Sequence, residues 1–302
     1  MPTPKVSFII PTLNRERTIK ACLKSIGDQT YPNKEIIIVD GGSRDKTLSI
    51  ASKYATKIVL DKGSLGKARQ RGVEESTGDI LGIFDSDIVL PSKDWTEKAV
   101  QYFDENSAIG VVWPFNKAPE GASIVTRCYF LLWKARALEL LKQANGQRVV
   151  PGGNSLVLRK AFEASGGFDI TLKFGEDLEL GNRIVQLGYE VAVFKEAIFH
   201  DTMWSFKEYA RKQIWGASSL ATADMSVVNL CLSWTDNKAG GKKGSFLRSA
   251  VGFLVGSFGD MIKGLARDRD AAWLILPILL GIRTMIYGRY FLIRILKDYR
   301  KR

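Results

Sequence analysis

The chain reads as an α/β protein, a mostly parallel sheet flanked by helices, followed by a helical C-terminal extension. Three observations predict this. Strand-like apolar runs alternate with helix-like segments through the first third of the chain. One of those runs, Ile80-Leu-Gly-Ile-Phe84, ends abruptly in Asp85-Ser86-Asp87. The net charge of +12 sits almost wholly beyond residue 237, where 14 Lys and Arg face 4 Asp and Glu.

Taken in order, Val6–Ile10 reads as a first strand ended by Pro11, and Arg15–Gly27 as a helix with Ile19, Leu23 and Ile26 on one face. Glu35–Val39 is a second strand, closed by Asp40-Gly-Gly-Ser-Arg-Asp45, and Lys46–Tyr54 a second helix. Lys57–Leu60 is a short third strand. Leu65–Ser76 makes a third helix before the Ile80 strand, which is apolar throughout, as a strand covered on both faces should be. Strand and helix in this rhythm imply right-handed crossovers and a parallel sheet. No Gly-x-Gly-x-x-Gly follows the first strand, which argues against a dinucleotide-binding domain. In the second half, Ala108–Trp113 is a fifth strand and Ile124–Leu141 a long helix. Ser155–Leu158 is a strand expected beside the Ile80 strand, and Gly175-Glu-Asp177 opens another helix. Tyr189–Phe194 and Ala197–Phe199 are apolar segments leading to His200, and Ser205–Leu220, with Trp204 before it, is an amphipathic helix.

Ligands of open α/β sheets bind beyond the carboxyl ends of the strands. Thr12 and Asn14, Asp40 with Gly41 and Gly42, and Asp85 with Asp87 would gather there. Two carboxylates one residue apart suit a hard divalent cation, which in turn binds a diphosphate; they equally suit an ordinary solvated turn. Lys67, Arg69 and Arg71 open the third helix, either toward an anionic ligand or as a solvated face.

A chain of 302 residues is long enough for a substantial core, and its 45% hydrophobic content is that of a globular protein. Cys22, Cys128 and Cys231 are too few and too scattered for a metal or disulfide pattern, which suits a reducing compartment. Met1-Pro-Thr-Pro-Lys5 runs straight into a strand and does not read as a secretory signal. The first 237 residues carry only +2, so the body is not a nucleic-acid binder.

Val6-Ser-Phe-Ile-Ile-Pro-Thr-Leu-Asn14, Ile38-Val-Asp-Gly-Gly-Ser-Arg-Asp-Lys-Thr47, Phe84-Asp-Ser-Asp87, Gly166-Gly-Phe-Asp169 and Gly175-Glu-Asp177 occur in one order over roughly residues 5 to 220. In that order they resemble the motifs of family 2 glycosyltransferases with the GT-A fold. The resemblance implies transfer of a sugar, with inversion, from a nucleoside-diphosphate sugar. It implies that Pro11, Leu13, Arg15 and Asp40 line the base and ribose pocket, with Lys67, Arg69 and Ser86 also on the donor side. It implies that Asp85 contacts ribose or sugar, and that Asp87 and His200 bind Mn²⁺ or Mg²⁺. It makes Asp177 the general base for an acceptor hydroxyl, with Glu176 helping to position that acceptor. Many relatives carry a second acid after strand two; Gly41 stands there instead, leaving the donor open between a UDP- and a GDP-sugar.

The extension, residues 237–302, is set apart from a glycosyltransferase domain of residues 1–236 by Asn237-Lys-Ala-Gly-Gly-Lys-Lys-Gly244. Ser249–Gly259 and Ala271–Ile282 are uncharged, each shorter than the about 20 residues a membrane span needs. With Arg283, Arg289, Arg294 and the basic end, they read as helices on an anionic membrane surface, at about 1 kcal/mol per basic residue. A homo-oligomer interface is the other reading. The whole implies an enzyme at the cytoplasmic membrane face, its acceptor a glycan or lipid-linked saccharide. A nucleotidyltransferase acting on a sugar phosphate, a polyprenyl-phosphate glycosyltransferase and a non-catalytic nucleotide-sugar binder are the alternatives.

Overall fold

The fold is that of a computed structural model describing residues 3–143, 153–202, 205–220 and 246–299. Trp204, Cys231, the Asn237–Gly244 break and the basic end from Arg300 lie outside the described residues. The chain divides into two compact units, Met1–Pro119 with Leu138–Asp201, and Glu120–Ala137 with Thr202–Arg302.

The first unit is built on one eight-stranded sheet. Its strands are β1 (Val6–Thr12), β2 (Lys34–Asp40), β3 (Lys57–Leu60), β4 (Ile80–Ile83), β5 (Ile88–Val89), β6 (Ile109–Lys117), β7 (Ser155–Leu158) and β8 (Glu190–His200). They lie in the order β3-β2-β1-β4-β7-β6-β8-β5. The β1–β2, β2–β3, β1–β4 and β6–β8 pairs are parallel, and the pairs that β7 and β5 make are antiparallel. The alternation of side chains along β1 and β2 divides the core. Phe8, Ile10, Ile36 and Ile38 face α1 (Ile19–Gly27) and the cluster that includes Trp95, while Ile37 and Val39 face Ala68 on the opposite side.

Two expected boundaries move. β1 runs through Pro11 to Thr12 because β4 stops pairing at Ile9↔Ile83, so the missing proline N–H costs no ladder bond on that side. The first helix starts at Ile19, not Arg15. The Arg15 carbonyl accepts the N–H groups of Thr18 and Ile19 in a tight turn, and the Arg15 N–H is tied to Thr47 Oγ1 at 2.7 Å. The remaining helices of this unit are α2 (Thr47–Ala51), α3 (Leu65–Glu74), α4 (Trp95–Glu105), the end of α5 (Ile124–Gln143), α6 (Arg159–Ala164) and α7 (Glu176–Gln186). Gly72 lets α3 lie close on the sheet, since a β-carbon there would come within 2.4 Å of Ile9 Cγ2.

Register brings the polar strand ends to one edge. Thr12 pairs with Asp40, and Ile83 lies beside both Ile9 and Ser155. Because β7 runs antiparallel to β4, the start of β7 joins the carboxyl ends of the parallel strands. The pairing Ile88↔His200 carries the end of β8 to the Asp85–Asp87 turn.

The second unit is helical: the first part of α5, α8 (Phe206–Leu220), α9 (Phe246–Asp268), a 3₁₀ turn (Ala271–Ile275) and α10 (Leu276–Tyr299). Val125, Cys128, Tyr209, Trp273, Leu276, Leu279 and Leu280 form its core. Arg127 pairs with Asp270, and the Trp273 ring lies where a β-carbon at Gly264 would stand. The second uncharged run begins in the 3₁₀ turn and continues within α10 into the residues beyond it. By length and composition alone, Ala271–Tyr290 is long and apolar enough to cross a membrane, with a mean hydropathy of 1.6 and 28% of the stretch buried. Leu274, Ile278 and Met285 stand exposed along this segment, Met285 at 70%, and Ile293 stands exposed beyond it on α10.

At the amino edge of the sheet, Glu35 is buried and accepts bonds from Ser7 Oγ (2.5 Å), Lys5 Nζ (2.8 Å) and the Thr77 N–H (2.7 Å). Burial would raise this carboxyl, but those donors outweigh it and hold it at about 2. The folded-state value lies below the ordinary one, so the stability it contributes is full above the ordinary carboxylate range and is lost as pH falls toward that value. Glu35→Gln is expected to destabilise by about 1–3 kcal/mol at neutral pH, the cost of leaving buried donors poorly paired. Denaturant unfolding should show its deficit against wild type shrinking on acidification.

Candidate active site

The turn after β4 carries the acids. Asp87 is buried, and His200 Nε2 lies 3.0 Å from its Oδ1. Arg15 Nη1 approaches the other oxygen, Oδ2, at 3.9 Å from an exposed position. Asp85, Asp87 and His200 each offer one ligand atom, and these atoms lie within 4.8 Å of one another. Two carboxylates and an imidazole make a set of hard oxygens with one borderline nitrogen, which suits Mn²⁺ and, less readily, Mg²⁺. The residues present therefore fit a divalent cation.

Behind this cluster lies Arg69, only 3% exposed on the inner face of α3. Its Nη2 donates to Asp85 Oδ1 at 2.9 Å and its Nη1 to Glu176 Oε1 at 2.7 Å, while its Nε has no hydrogen-bond partner among the described residues. Burial works against the guanidinium charge, but Glu176, Asp85 and Asp177 outweigh it and raise Arg69 further above its usual range. Glu176 is itself 3% exposed, and burial pushes it up to about 7, opposed by Arg69 and reinforced by Asp177. Its neighbour Asp177 sits in the first turn of α7, which follows Gly175 in the left-handed conformation (φ 81°), and Asp177 Oδ1 accepts the Leu178 N–H at 2.9 Å.

The structure brings only part of the expected site residues together. Asp85, Asp87, His200, Arg69, Glu176 and Asp177 converge, joined by the contacts above. Glu176, read as an acceptor-side group, lies buried under Arg69. Of the three cations on α3, only Arg69 turns inward; Lys67 is exposed with its stem over Gly63, and Arg71 is exposed and pairs with Glu75. Asp40 is buried, its Oδ2 accepting the N–H groups of Gly42 (2.8 Å) and Ser43 (2.9 Å) and its Oδ1 the Ser43 hydroxyl (2.6 Å). It therefore shapes the loop after β2. Leu13 is exposed over Gly41, where a β-carbon would lie 3.3 Å from Leu13 Cβ; Pro11 and Ser86 are buried. Asn154, which no sequence motif marks, bonds Asp85 twice: its Oδ1 accepts the Asp85 N–H at 2.8 Å and its Nδ2 donates to Asp85 Oδ2 at 3.1 Å.

Removing one partner from a buried, hydrogen-bonded charge pair costs about 3–5 kcal/mol. Arg69→Ala is expected to lose stability of that order by denaturant unfolding at neutral pH. In a Glu176→Gln background the same change should cost clearly less, which a double-mutant cycle measures.

The chain is similar to known proteins in sequence and in fold. The chain is 29% identical over 221 residues to the glycosyltransferase AglE of Haloferax volcanii, covering 70% of this chain and 71% of that one. It is 24% identical over 266 residues to the O-antigen chain rhamnosyltransferase RfbN of Salmonella typhimurium, covering 83% and 82%. In fold it is similar to the mannosyltransferase PcManGT of Pyrobaculum calidifontis, solved with GDP-Man and Mn²⁺, at a TM-score of 0.60 and 17% identity over 94% of this chain and 86% of that one. The family model for glycosyl transferase family 2 matches residues 7–166, and the chain, with its GT-A sheet, belongs to that family.

Proposed function

We propose that this glycosyltransferase moves a sugar, with inversion and in a metal-dependent reaction, from a UDP- or GDP-sugar to a hydroxyl of a glycan or lipid-linked saccharide. The Asp85–Asp87–His200 cluster carries the reading. Asp87 and His200 would hold Mn²⁺ or Mg²⁺, which supplies Lewis-acid neutralisation of the charge on the departing diphosphate. Asp85, held from two sides, is placed to orient the ribose or sugar. Arg15, half-exposed beside Asp87, adds a cation near the diphosphate. Pro11, Leu13, Asp40 and Ser86 border the nucleotide, with Lys67 at its outer rim.

The acceptor hydroxyl is a weak nucleophile at neutral pH. Asp177 accepts its proton as the oxygen attacks the anomeric carbon from the side opposite the leaving diphosphate. An acceptor phosphate would already be an anion and would need no such base, so a carboxylate here favours a hydroxyl acceptor. Glu176, under Arg69, holds the base helix in place. The exposed apolar stripe of α10 and the +10 charge of the last 65 residues support docking on an anionic membrane at its cytoplasmic face.

Purified protein with Mn²⁺ and a panel of UDP- and GDP-sugars is expected to release nucleoside diphosphate from one donor, and Asp87→Ala to abolish that release. Release of pyrophosphate from a nucleoside triphosphate would sink the reading. Asp177→Asn should lower kcat about 10²–10⁴-fold, the usual weight of a general base, with donor binding unchanged. Turnover within a few-fold of wild type would remove Asp177 from that role.

Membrane docking has a separate check. Ile278→Glu with Met285→Glu should weaken sedimentation with anionic liposomes while leaving the Tm intact. Undiminished sedimentation would contradict it.

A further inference from the structure

We infer that Asn154 is a positioning residue of the transfer reaction, acting through Asp85; this rests on the function proposed above. The β4–β7 ladder pairs Ile83 with Ser155 and stops there. Continued by two residues, it would set the Asp85 backbone opposite Gly153. Instead Asn154 turns into the left-handed conformation, φ 54°, and leaves the ladder. Its carboxamide replaces the missing rungs. Oδ1 takes the Asp85 N–H and Nδ2 grips Asp85 Oδ2, from a buried position. Arg69 holds the other carboxylate oxygen. Both oxygens of Asp85 are therefore fixed by groups that the fold itself fixes, one from α3 and one from the entry to β7.

The residue before Asn154 bears on the other carboxylate of the reaction. A β-carbon at Gly153 would lie 2.6 Å from Asp177 Oδ2 and 3.5 Å from Arg69 Nη2. The Asp177 carboxylate thus packs directly against the Gly153 backbone. One dipeptide sets the donor-side acid with its amide side chain and seats the proposed base with its missing one. Only a few residues combine tolerance of positive φ with a paired donor and acceptor; asparagine is the foremost.

Two substitutions separate the side chain from the backbone. Asn154→Gly keeps the left-handed turn at no steric cost and removes the clasp. Asn154→Asp also tolerates that turn and keeps an acceptor for the Asp85 N–H, but it sets a second carboxylate against Asp85 where the amide donated. Both are expected to fold, with a Tm below wild type because the clasp on Asp85 is lost or turned into a like-charge contact, and to lower kcat/KM for the donor about 10²-fold, the scale of a displacement of about 1 Å in a reacting constellation. Mn²⁺-dependent binding of nucleoside diphosphate, followed by calorimetry, should weaken in Asn154→Gly. Wild-type kcat and KM in Asn154→Gly would overturn the inference, leaving position 154 a backbone role only.

A crystal structure of Asn154→Gly without ligand decides the same point independently of any donor. Displacement of the Asp85 carboxylate is expected, and an Asp85 that stays in place overturns the inference. A wild-type protein that releases nucleoside diphosphate from no donor, by contrast, counts against the transferase reading alone.

Discussion

A buried guanidinium ties together the elements around the acidic turn after β4. Arg69 spans from Asp85, at the end of β4, to Glu176, at the start of α7, and so ties the central sheet to the helix that carries Asp177. A charge this deep is tolerable only when paired and hydrogen-bonded. Both pairs are made at normal bond lengths, which fixes where α3, the β4 turn and α7 lie relative to one another. Arginine suits the task because its planar fork reaches two carboxylates at once; a lysine would offer one compact charge at a single point.

The same pairing sets two adjacent acids in different surroundings. Glu176 is drawn inward, and burial raises its carboxyl while Arg69 opposes the rise. Asp177, one residue on, points instead toward the Gly153 backbone and takes a local N–H bond. On a helix, neighbouring residues face directions about 100° apart, so one can be buried in an ion pair while the next faces another way. Sequence alone presents Glu-Asp as a single acidic cap, and only the depth of Arg69 distinguishes its members.

Much of the framework was legible before the fold was known. The runs at Val6, Glu35 and Ile80 are buried on both faces, so they are apolar almost throughout and stand out. α4 gives a weak sequence signal, since only Trp95, Thr96, Ala99 and Val100 of its eleven residues are buried, and β5, at two residues, is too short to show a period. Arg69 could be separated from Lys67 and Arg71 by its companions: Gly66, Ala68, Gly72 and Val73 are the buried residues of α3, and Arg69 shares their face. Asn154 offered no such signal. Its meaning depends on pairing across a sequence separation of 69 residues, in an antiparallel rung of an otherwise parallel region.

The charge balance of the site points the same way as its geometry. Four carboxylates, of Asp85, Asp87, Glu176 and Asp177, face Arg69 and the half-exposed Arg15. Excess negative charge at a strand edge disfavours the ionised acids, and the rise of Glu176 toward neutral pH registers part of that pressure. Structural needs alone would select a balanced pair or an apolar filling, which is often as stable. An arrangement that keeps Asp85 and Asp87 beside His200 despite that surplus suits the binding of a cation. It gains most where that cation arrives with a diphosphate, because the metal charge then offsets both the acids and the leaving group.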